Sequence, residues 1–416
     1  MSLMIDTVLV LIPIHKMYTR ATDYVYEIIG DVTDYDLKAA SRYVSKQDDG
    51  TKIPFELYHM QESLPTSHTG IGFKFFHRAN NYLPYVQLNC SIAKIVQGHN
   101  VYGSCNMITG ILEMLGVFKE TYPEFCKYLD FANAEISRFD ITLPAQTQSL
   151  ETAIRVREYL RNVDWGRYRN LCILNKDGCI NTLYFGSRKS DVGGFKVYCK
   201  GVELVNNEIK PLQHKAKKGC LTSIHKLTHI FTDDVQDFAS KSVRIEVIVK
   251  REMIKQFGLP TNLWQLLRHQ LNNPDIYKTL FHHKTKDFFN AMQGITMPTD
   301  DLKVYEILLD KLTTITPTGK KSTTRASHAY NFYKRLKQDG FYEVKRTSNE
   351  RTFQRNVKSL VDAGFKRSDL QNLAKNEETQ ILRLLNLDFN APLPKSYKEP
   401  VSTYFDEFKQ YLINVA

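Results

Sequence analysis

The stretch FKVYCKG, residues 195–201, holds the residues of this chain whose types and spacing best suit covalent chemistry. As a strand, it places Lys196, Tyr198 and Lys200 on one face by strict alternation. A phenol with a pKa of about 10 is a poor nucleophile at neutral pH, and neighbouring ammonium groups favour its phenolate. The pattern therefore indicates either a nucleophilic Tyr198 or an ordinary half-exposed strand tyrosine.

Two further segments repeat an arginine and an acid two residues apart. SRFDITL contains Arg138 and Asp140, and SVRIEVIVK contains Arg244 and Glu246. Each pair is either a local ion pair or half of a site in which two carboxylates hold Mg²⁺. His99, within QGHNVYGS, is either a further ligand or part of a turn. A tyrosine beside such a cation would attack a DNA phosphate, giving a phosphotyrosine and a free hydroxyl.

The amino-acid composition indicates what class of partner this protein binds. The 416 residues have a net charge of +11 and are 42% hydrophobic, which is typical of a globular protein with a polyanionic partner. The seven cysteines include no CxxC pair, which favours a reduced compartment. The sequence has no P-loop motif, and no apolar run approaches the roughly 20 residues of a membrane span.

The sequence patterns of the strands and helices around these side chains predict an α+β protein. An antiparallel sheet with flanking helices is expected over residues 4–295, followed by a mostly helical, basic domain over 296–416. Residues 321–370 contain twelve Lys and Arg against five Asp and Glu, and Gly364 separates two helical patterns. Strands are predicted at 7–14, 70–76, 85–90, 137–143, 182–204 and 242–250, and helices at 105–130, 149–162, 262–273 and 277–292. The tyrosine hairpin and the two arginine-acid strands should be neighbours.

Several motifs together resemble one family. ESLPTSHTGIGFKFF, VQLNCSIAKIVQGHNVYG, ISRFDITL, VYCKGVEL, SVRIEVIVKREMIKQFGLP, TITPTGKKS and RNVKSLVDAGFKRSDLQNL occur in the order found in the gene II replication initiators of filamentous bacteriophages. The resemblance extends from Met4 to about residue 400. TLYFGSRKSD, FKVYCKG and VRIEV also resemble, more loosely, the core of plasmid rolling-circle initiators.

This resemblance implies a Mg²⁺- or Mn²⁺-dependent endonuclease with strand-transfer activity in the host bacterial cytoplasm. It nicks the plus strand of supercoiled phage DNA at the origin, keeps the 5′ phosphate on a tyrosine and leaves a 3′ hydroxyl. Later it cuts and circularises the displaced strand. Host helicase and polymerase are the implied partners, together with self-association on DNA and no membrane. The alternative is a non-catalytic origin-binding protein, which has no need for paired carboxylates beside a phosphate.

The resemblance also implies roles for individual residues. Tyr198 matches the nucleophile, with Lys200 as a second catalytic residue. The expected metal ligands are Asp140, Glu246 and His99, and the expected phosphate-binding residues are Arg138, Arg244, Lys196 and Arg188. Most rolling-circle initiators hold their metal through a His-hydrophobic-His motif that this chain lacks, so the third ligand stays open. Tyr184 and Tyr102 are candidates for a second nucleophile, and Met297 is a candidate internal start.

Overall fold

The computed structural model describes residues 2–43, 50, 55–163, 170–174, 180–187, 189–291, 300–373, 388 and 390–413. Sixteen strands occur in these ranges: β1 Met4–Pro13, β2 Thr19–Thr22, β3 Val25–Ile28, β4 Ala39–Tyr43, β5 Phe55–His59, β6 Glu62–Pro65, β7 Gly70–Phe76, β8 Arg78–Asn80, β9 Tyr85–Ser91, β10 Glu135–Gln146, β11 Asn170–Leu174, β12 Ile180–Phe185, β13 Phe195–Cys199, β14 Ser242–Lys250, β15 Thr314–Ile315 and β16 Lys321–Ser322.

Helices join and follow the strands: α1 Ile92–Gln97, α2 Ile108–Thr121, α3 Pro123–Cys126, α4 Leu150–Arg161, α5 Lys200–Leu204, α6 Lys210–Lys217, α7 Leu221–His225, α8 Asp233–Ser240, α9 Arg251–Gln256, α10 Leu263–Asn272, α11 Ile276–Ala291, α12 Asp301–Leu312, α13 Thr324–Asp339, α14 Phe341–Arg346, α15 Glu350–Asp362, α16 Arg367–Gln371 and α17 Phe405–Ile413. Across the described ranges, no helix combines the length and the apolar character that a bilayer crossing requires.

Nine strands form one antiparallel sheet in the order β11-β12-β13-β14-β10-β1-β9-β7-β6. Burial alternates residue by residue along β7 and β9, because one face of these strands packs on helices and the other does not. Strand β14 instead is buried along almost its whole length, so its polar residues lie in the interior of the sheet domain. The sheet therefore has a face that packs on the main core and an opposite face, here called the open face, which helix α5 covers beside β13 and β14.

Aromatic side chains join the face that packs on the main core to its helices. Phe73 of β7 packs on Phe118 of α2 with ring centroids 5.1 Å apart, and Phe195 of β13 packs on Phe288 of α11 at 5.5 Å. Such contacts belong to one continuous apolar core under the sheet. Because the core lies on this side, the polar members of each alternating strand are left on the open face.

The α+β prediction is confirmed, including the adjacency of β13, β14 and β10. The predicted hairpin at 182–204 is too long, because β13 ends at Cys199 and Lys200 begins helix α5. Gly201 explains the change of direction. A Cβ at this position would lie 2.7 Å from the backbone of Ser240, so only glycine lets α5 approach α8 this closely.

The C-terminal helices α12 to α16 surround a second apolar core that includes Phe332, Phe353 and Leu360. As expected, Gly364 turns the chain between α15 and α16, with a φ of +99°. This bundle contacts the sheet domain through α4, where the Tyr159 hydroxyl bonds Asp369 at 2.8 Å. Helix α17 returns to the sheet domain and stacks Tyr411 on Trp264 with centroids 4.9 Å apart.

Helix α4 gives a simple test of local stability. The Ser149 hydroxyl accepts a hydrogen bond from the Thr152 backbone N–H at 3.2 Å and so caps the helix. Ser149→Ala is expected to lower the free energy of unfolding by about 1 kcal/mol in equilibrium urea denaturation, because that N–H loses its partner. Ser149→Asp, which keeps a capping oxygen, should unfold like the native protein. Equal losses in both variants would contradict the capping role.

Candidate active site

The strands β13, β14 and β10 bring a tyrosine, two carboxylates and three cationic side chains together on the open face. In register, Tyr198 of β13 lies opposite Arg244 of β14, and Lys196 lies opposite Glu246. Strand β10 places Asp140 diagonally across from Glu246, since its direct partner on β14 is Ile248. Antiparallel pairing and strict alternation therefore place Tyr198, Glu246 and Asp140 on one face, as the sequence predicts.

Tyr198 donates a hydrogen bond from its hydroxyl to Glu246 Oε2 at 2.9 Å and exposes only 8% of its surface. Burial raises the pKa of its phenol well above the ordinary value; Arg244 opposes this rise, and Glu246 adds to it. In this arrangement Lys196 is paired with Glu246 and Lys200 with Glu203, and the expectation that the two lysines favour the phenolate stays a prediction.

Glu246 connects the tyrosine to Lys196, whose Nζ lies 2.5 Å from Glu246 Oε1. Burial pushes the pKa of Glu246 up, but Lys196 and Arg244 outweigh it and bring the pKa to about 2. A carboxylate that stays charged at this position is a constant acceptor for the Tyr198 hydroxyl. Lys196 is partly exposed, so its ammonium group lies at the outer edge of the cluster.

Asp140 is the second carboxylate, and it is completely buried. Arg138 Nε and Nη2 hold its two oxygens at 2.8 and 2.6 Å, so the local ion pair exists. Burial nevertheless raises the pKa of Asp140 to about 7, and the neighbouring Glu246 charge adds to the rise. Two carboxylates close enough to perturb one another are the donor types that a hard divalent cation prefers.

The second arginine-acid motif does not form the same local pair. Arg244 is fully buried and binds Asp6 of β1, with Nη2 and Oδ2 3.1 Å apart; its Nη1 donates to the Asn100 carbonyl at 2.6 Å. Its guanidinium carbon lies 5.9 Å from the centroid of the Tyr198 ring. Arg244 therefore packs against the Tyr198 ring, and a contact between Arg244 and phosphate stays a prediction.

Asp6 is a site residue that sequence reasoning missed. It also accepts hydrogen bonds from Asn100 Nδ2 at 2.8 Å and from the Ser91 hydroxyl. The available signal was a charged residue inside an otherwise apolar first strand, where an unpaired acid would be costly. Its partner Arg244 lies 238 positions further along the chain, so no local pattern could have identified the pair.

Lys200 lies beside this network and not beside the phenol oxygen. Its buried ammonium donates to Glu203 Oε2 at 2.5 Å and to Asn100 Oδ1 at 2.9 Å. Burial lowers the pKa of Lys200, although Glu203 opposes the shift. The side chain thus ties helix α5 to the 98–101 turn, and a catalytic role for Lys200 stays a prediction.

His99 does not join the two carboxylates. Its ring contacts Gln97 Nε2 at 3.3 Å and packs edge-on against Tyr102 at 4.7 Å between centroids. Burial lowers the pKa of His99 to about 4, with Lys200 and Arg244 adding to the shift. Within the residues that the structure describes, no three His, Cys, Asp or Glu side chains form a metal-binding group. The prediction that Asp140, Glu246 and His99 hold a metal ion therefore stays a prediction, with His99 placed apart from the two carboxylates.

The other residues singled out in the sequence lie in different parts of the chain. Tyr184 of β12 lies opposite Lys196, on the same face as Tyr198, and is 5% exposed. Tyr102 belongs to a small apolar cluster under helices α5 and α8. Arg188 and Met297 lie outside the described residues.

Comparison with known proteins agrees with this architecture. Residues 4–272 match the family model for the N-terminal part of a phage replication-associated protein, and residues 315–403 match the model for its C-terminal part. The chain is 32% identical over 373 residues to the replication-associated protein of Enterobacteria phage M13, covering 88% of this chain and 90% of that protein. The corresponding protein of Salmonella phage IKe is 32% identical over 380 residues, 88% of each chain. The chain therefore belongs to the gene II replication-associated protein family of filamentous phages.

Proposed function

We propose that this protein initiates replication by nicking the plus strand of its phage's supercoiled DNA at the origin. The single observation behind this proposal is the hydrogen bond from the Tyr198 hydroxyl to Glu246, beside Asp140, in the part of the chain that matches the family's N-terminal region. A protein that only binds DNA gains nothing from two adjacent buried carboxylates, which repel a phosphate.

The proposed reaction begins when the Tyr198 oxygen attacks a phosphorus atom of the plus strand. The new bond joins that oxygen to phosphorus, and the bond from phosphorus to the 3′ oxygen breaks. The phenol proton is lost to water by way of its hydrogen bond to Glu246, which is too weakly basic to keep it, and the leaving 3′ oxygen gains a proton from water or from the Lys196 ammonium. The product is a 5′-phosphotyrosine and a 3′ hydroxyl from which the host polymerase can extend.

Rejoining reverses these bonds. After synthesis and helicase-driven displacement, a 3′ hydroxyl of the displaced strand attacks a phosphotyrosine and releases the tyrosine, which closes the circle. The covalent intermediate keeps the energy of the broken bond, so resealing needs no nucleotide cofactor. We assign this work to the host cytoplasm, with copies of the protein associating on the origin DNA.

A divalent cation fits the donor types at Asp140 and Glu246, because Mg²⁺ and Mn²⁺ bind one or two carboxylates together with water and phosphate oxygens. These carboxylates are currently neutralised by Arg138 and Lys196, so a cation would take the place of one of those contacts. When bound, it would polarise the phosphate and favour the phenolate. Arg138 and Lys196, both partly exposed, would then be released to hold phosphate oxygens.

The test uses supercoiled DNA that carries the cognate phage origin. With Mg²⁺, the native protein should convert it to nicked circles and leave a protein–DNA adduct that survives denaturation, with the DNA on Tyr198 by peptide mass spectrometry. EDTA should abolish the adduct, Mg²⁺ or Mn²⁺ should restore it, and DNA binding should persist throughout. Binding without any nicking under all these conditions would favour the non-catalytic alternative, and nicking in EDTA would remove the metal from the proposal.

A further inference from the structure

The open face has a second feature, distant from Tyr198, at the opposite corner of the sheet. A cavity of about 630 Å³ opens there, lined in part by Lys74 and Phe76 of β7, Tyr85 of β9, Tyr82 and Arg251. These residues define what we call the aromatic groove. Its volume falls within the range of small-ligand sites, about 300–1,000 Å³, so it has room for a nucleotide.

The rings of the aromatic groove are partly exposed and ordered relative to one another. Phe76 and Tyr85 stack with centroids 4.8 Å apart and planes 21° apart, and Tyr82 meets Tyr85 edge-on at 5.5 Å. None of these rings belongs to the buried core. Half-exposed, preordered rings are platforms on which bases stack with little regard to sequence.

Charge is the second argument. Lys74 Nζ lies 4.8 Å from the centroid of Phe76, and the Arg251 guanidinium carbon lies 5.9 Å from that of Tyr82. The exposed Arg78 also lines the cavity, and its described lining contains no carboxylate. The nearest acid identified is Glu135, which is paired with Arg251 at 2.8 Å. Aromatic rings with cations between them suit a nucleic-acid strand, because the rings can stack on its bases and the cations can bind its phosphates.

Register places the groove and the tyrosine on one continuous surface. Across the sheet, Lys74 of β7 is in register with Leu11 of β1 and with Glu135 of β10. Glu246 of β14 is in register with Thr142, which lies seven residues after Glu135 along β10. With a rise of about 3.3 Å per residue and about 4.8 Å between strands, Lys74 of the groove lies on the order of 30 Å from Glu246. Single-strand sites of about 4–16 nucleotides are common, so one strand can bridge this distance.

We infer that the aromatic groove binds single-stranded DNA by base stacking, several nucleotides away from the phosphate that Tyr198 attacks. This inference rests on the proposed function, because it takes its ligand to be the strand that is cut. The groove holds the strand at a second point, so the DNA crosses the open face of the sheet. Duplex DNA lacks free base faces and should not need these rings.

The test compares native protein with Tyr82→Leu/Tyr85→Leu and with Arg78→Gln, a substitution at an exposed position that is expected to leave the fold intact. Fluorescence anisotropy would measure binding of a plus-strand oligonucleotide spanning the origin, of its duplex, and of a short oligonucleotide covering only the nick. We expect the tyrosine pair to weaken binding of the long single strand by about 5- to 150-fold per stacked base. Arg78→Gln should weaken it less and reduce its salt dependence. Tyr24→Leu, an exposed tyrosine outside the groove, is the matched control.

2-Aminopurine placed at successive positions of the long strand would locate the stacked base through quenching that the tyrosine variant loses. Native affinity for the long strand in a folded tyrosine variant would overturn the inference, as would equal losses for duplex and single strand. Cleavage of the short oligonucleotide should be unchanged. If native protein cleaves no DNA yet binds the long strand through these rings, the proposed function fails and the groove stands.

Discussion

Tyr198→Phe should reduce nicking of supercoiled origin DNA by at least about a thousandfold, because removing a nucleophile removes the covalent step itself. The substitution deletes one oxygen and leaves the ring on Arg244, and Glu246 keeps its bond to Lys196. The variant should therefore fold and bind origin DNA like native protein. The measurement is the initial rate of nicked-circle formation, together with the yield of denaturation-resistant adduct.

Tyr184→Phe is the matched comparison, since Tyr184 lies on the neighbouring strand and the same face. It should nick at the native rate. If Tyr184→Phe stops nicking and Tyr198→Phe does not, the nucleophile belongs to β12, and the enzyme proposal survives with a different residue. Native rates in both variants would exclude Tyr198 and Tyr184 as the nucleophile of the first cut.

Alternation was enough to predict which residues share a face. GIGFKFF forms β7 over the predicted bounds, and the acids of β10 and β14 reach the same side as Tyr198. The reason is physical: a period of two is fixed by the pleat, and apolar residues on one side leave no choice for the others. The gathering of the tyrosine and both carboxylates follows from this rule once the three strands are neighbours.

Partner choice within the site could not be predicted in the same way. Arg138–Asp140 and Arg244–Glu246 look identical in sequence, yet only the first is the hydrogen-bonded pair. Cross-strand register decides the difference, because Lys196 lies opposite Glu246, while Asp6 comes within reach of Arg244. Register depends on the whole sheet, and no local pattern contains it.

The aromatic groove was missed for a related reason. Phe76, Tyr82 and Tyr85 come from two strands and the connection between them, and Arg251 comes from helix α9, far along the chain. Taken one at a time in the sequence, none of these residues differs from an ordinary residue of a strand, turn or helix. Their shared function depends on strand order, which places β1 between β10 and β9 and so brings Arg251 beside the rings.

Asp6→Asn should be the most destabilising of the polar substitutions considered, lowering the free energy of unfolding by about 3–5 kcal/mol. The change keeps the shape of the side chain but removes the carboxylate that forms the direct ion pair with the fully buried Arg244 guanidinium. Urea denaturation followed by circular dichroism measures the loss. The control is Glu151→Gln, which breaks the exposed pair with Arg155 and should cost less than about 1 kcal/mol.

The same substitution is also expected to change the proposed nicking activity. Arg244 lies against the Tyr198 ring and is the cation that opposes the rise of the phenol's pKa, so a guanidinium displaced from Asp6 also changes the surroundings of Tyr198. Folded Asp6→Asn protein, assayed well below its unfolding midpoint, should therefore nick more slowly while binding origin DNA normally. Full nicking activity in a strongly destabilised variant would show that Arg244 and Asp6 hold the strands together without positioning Tyr198.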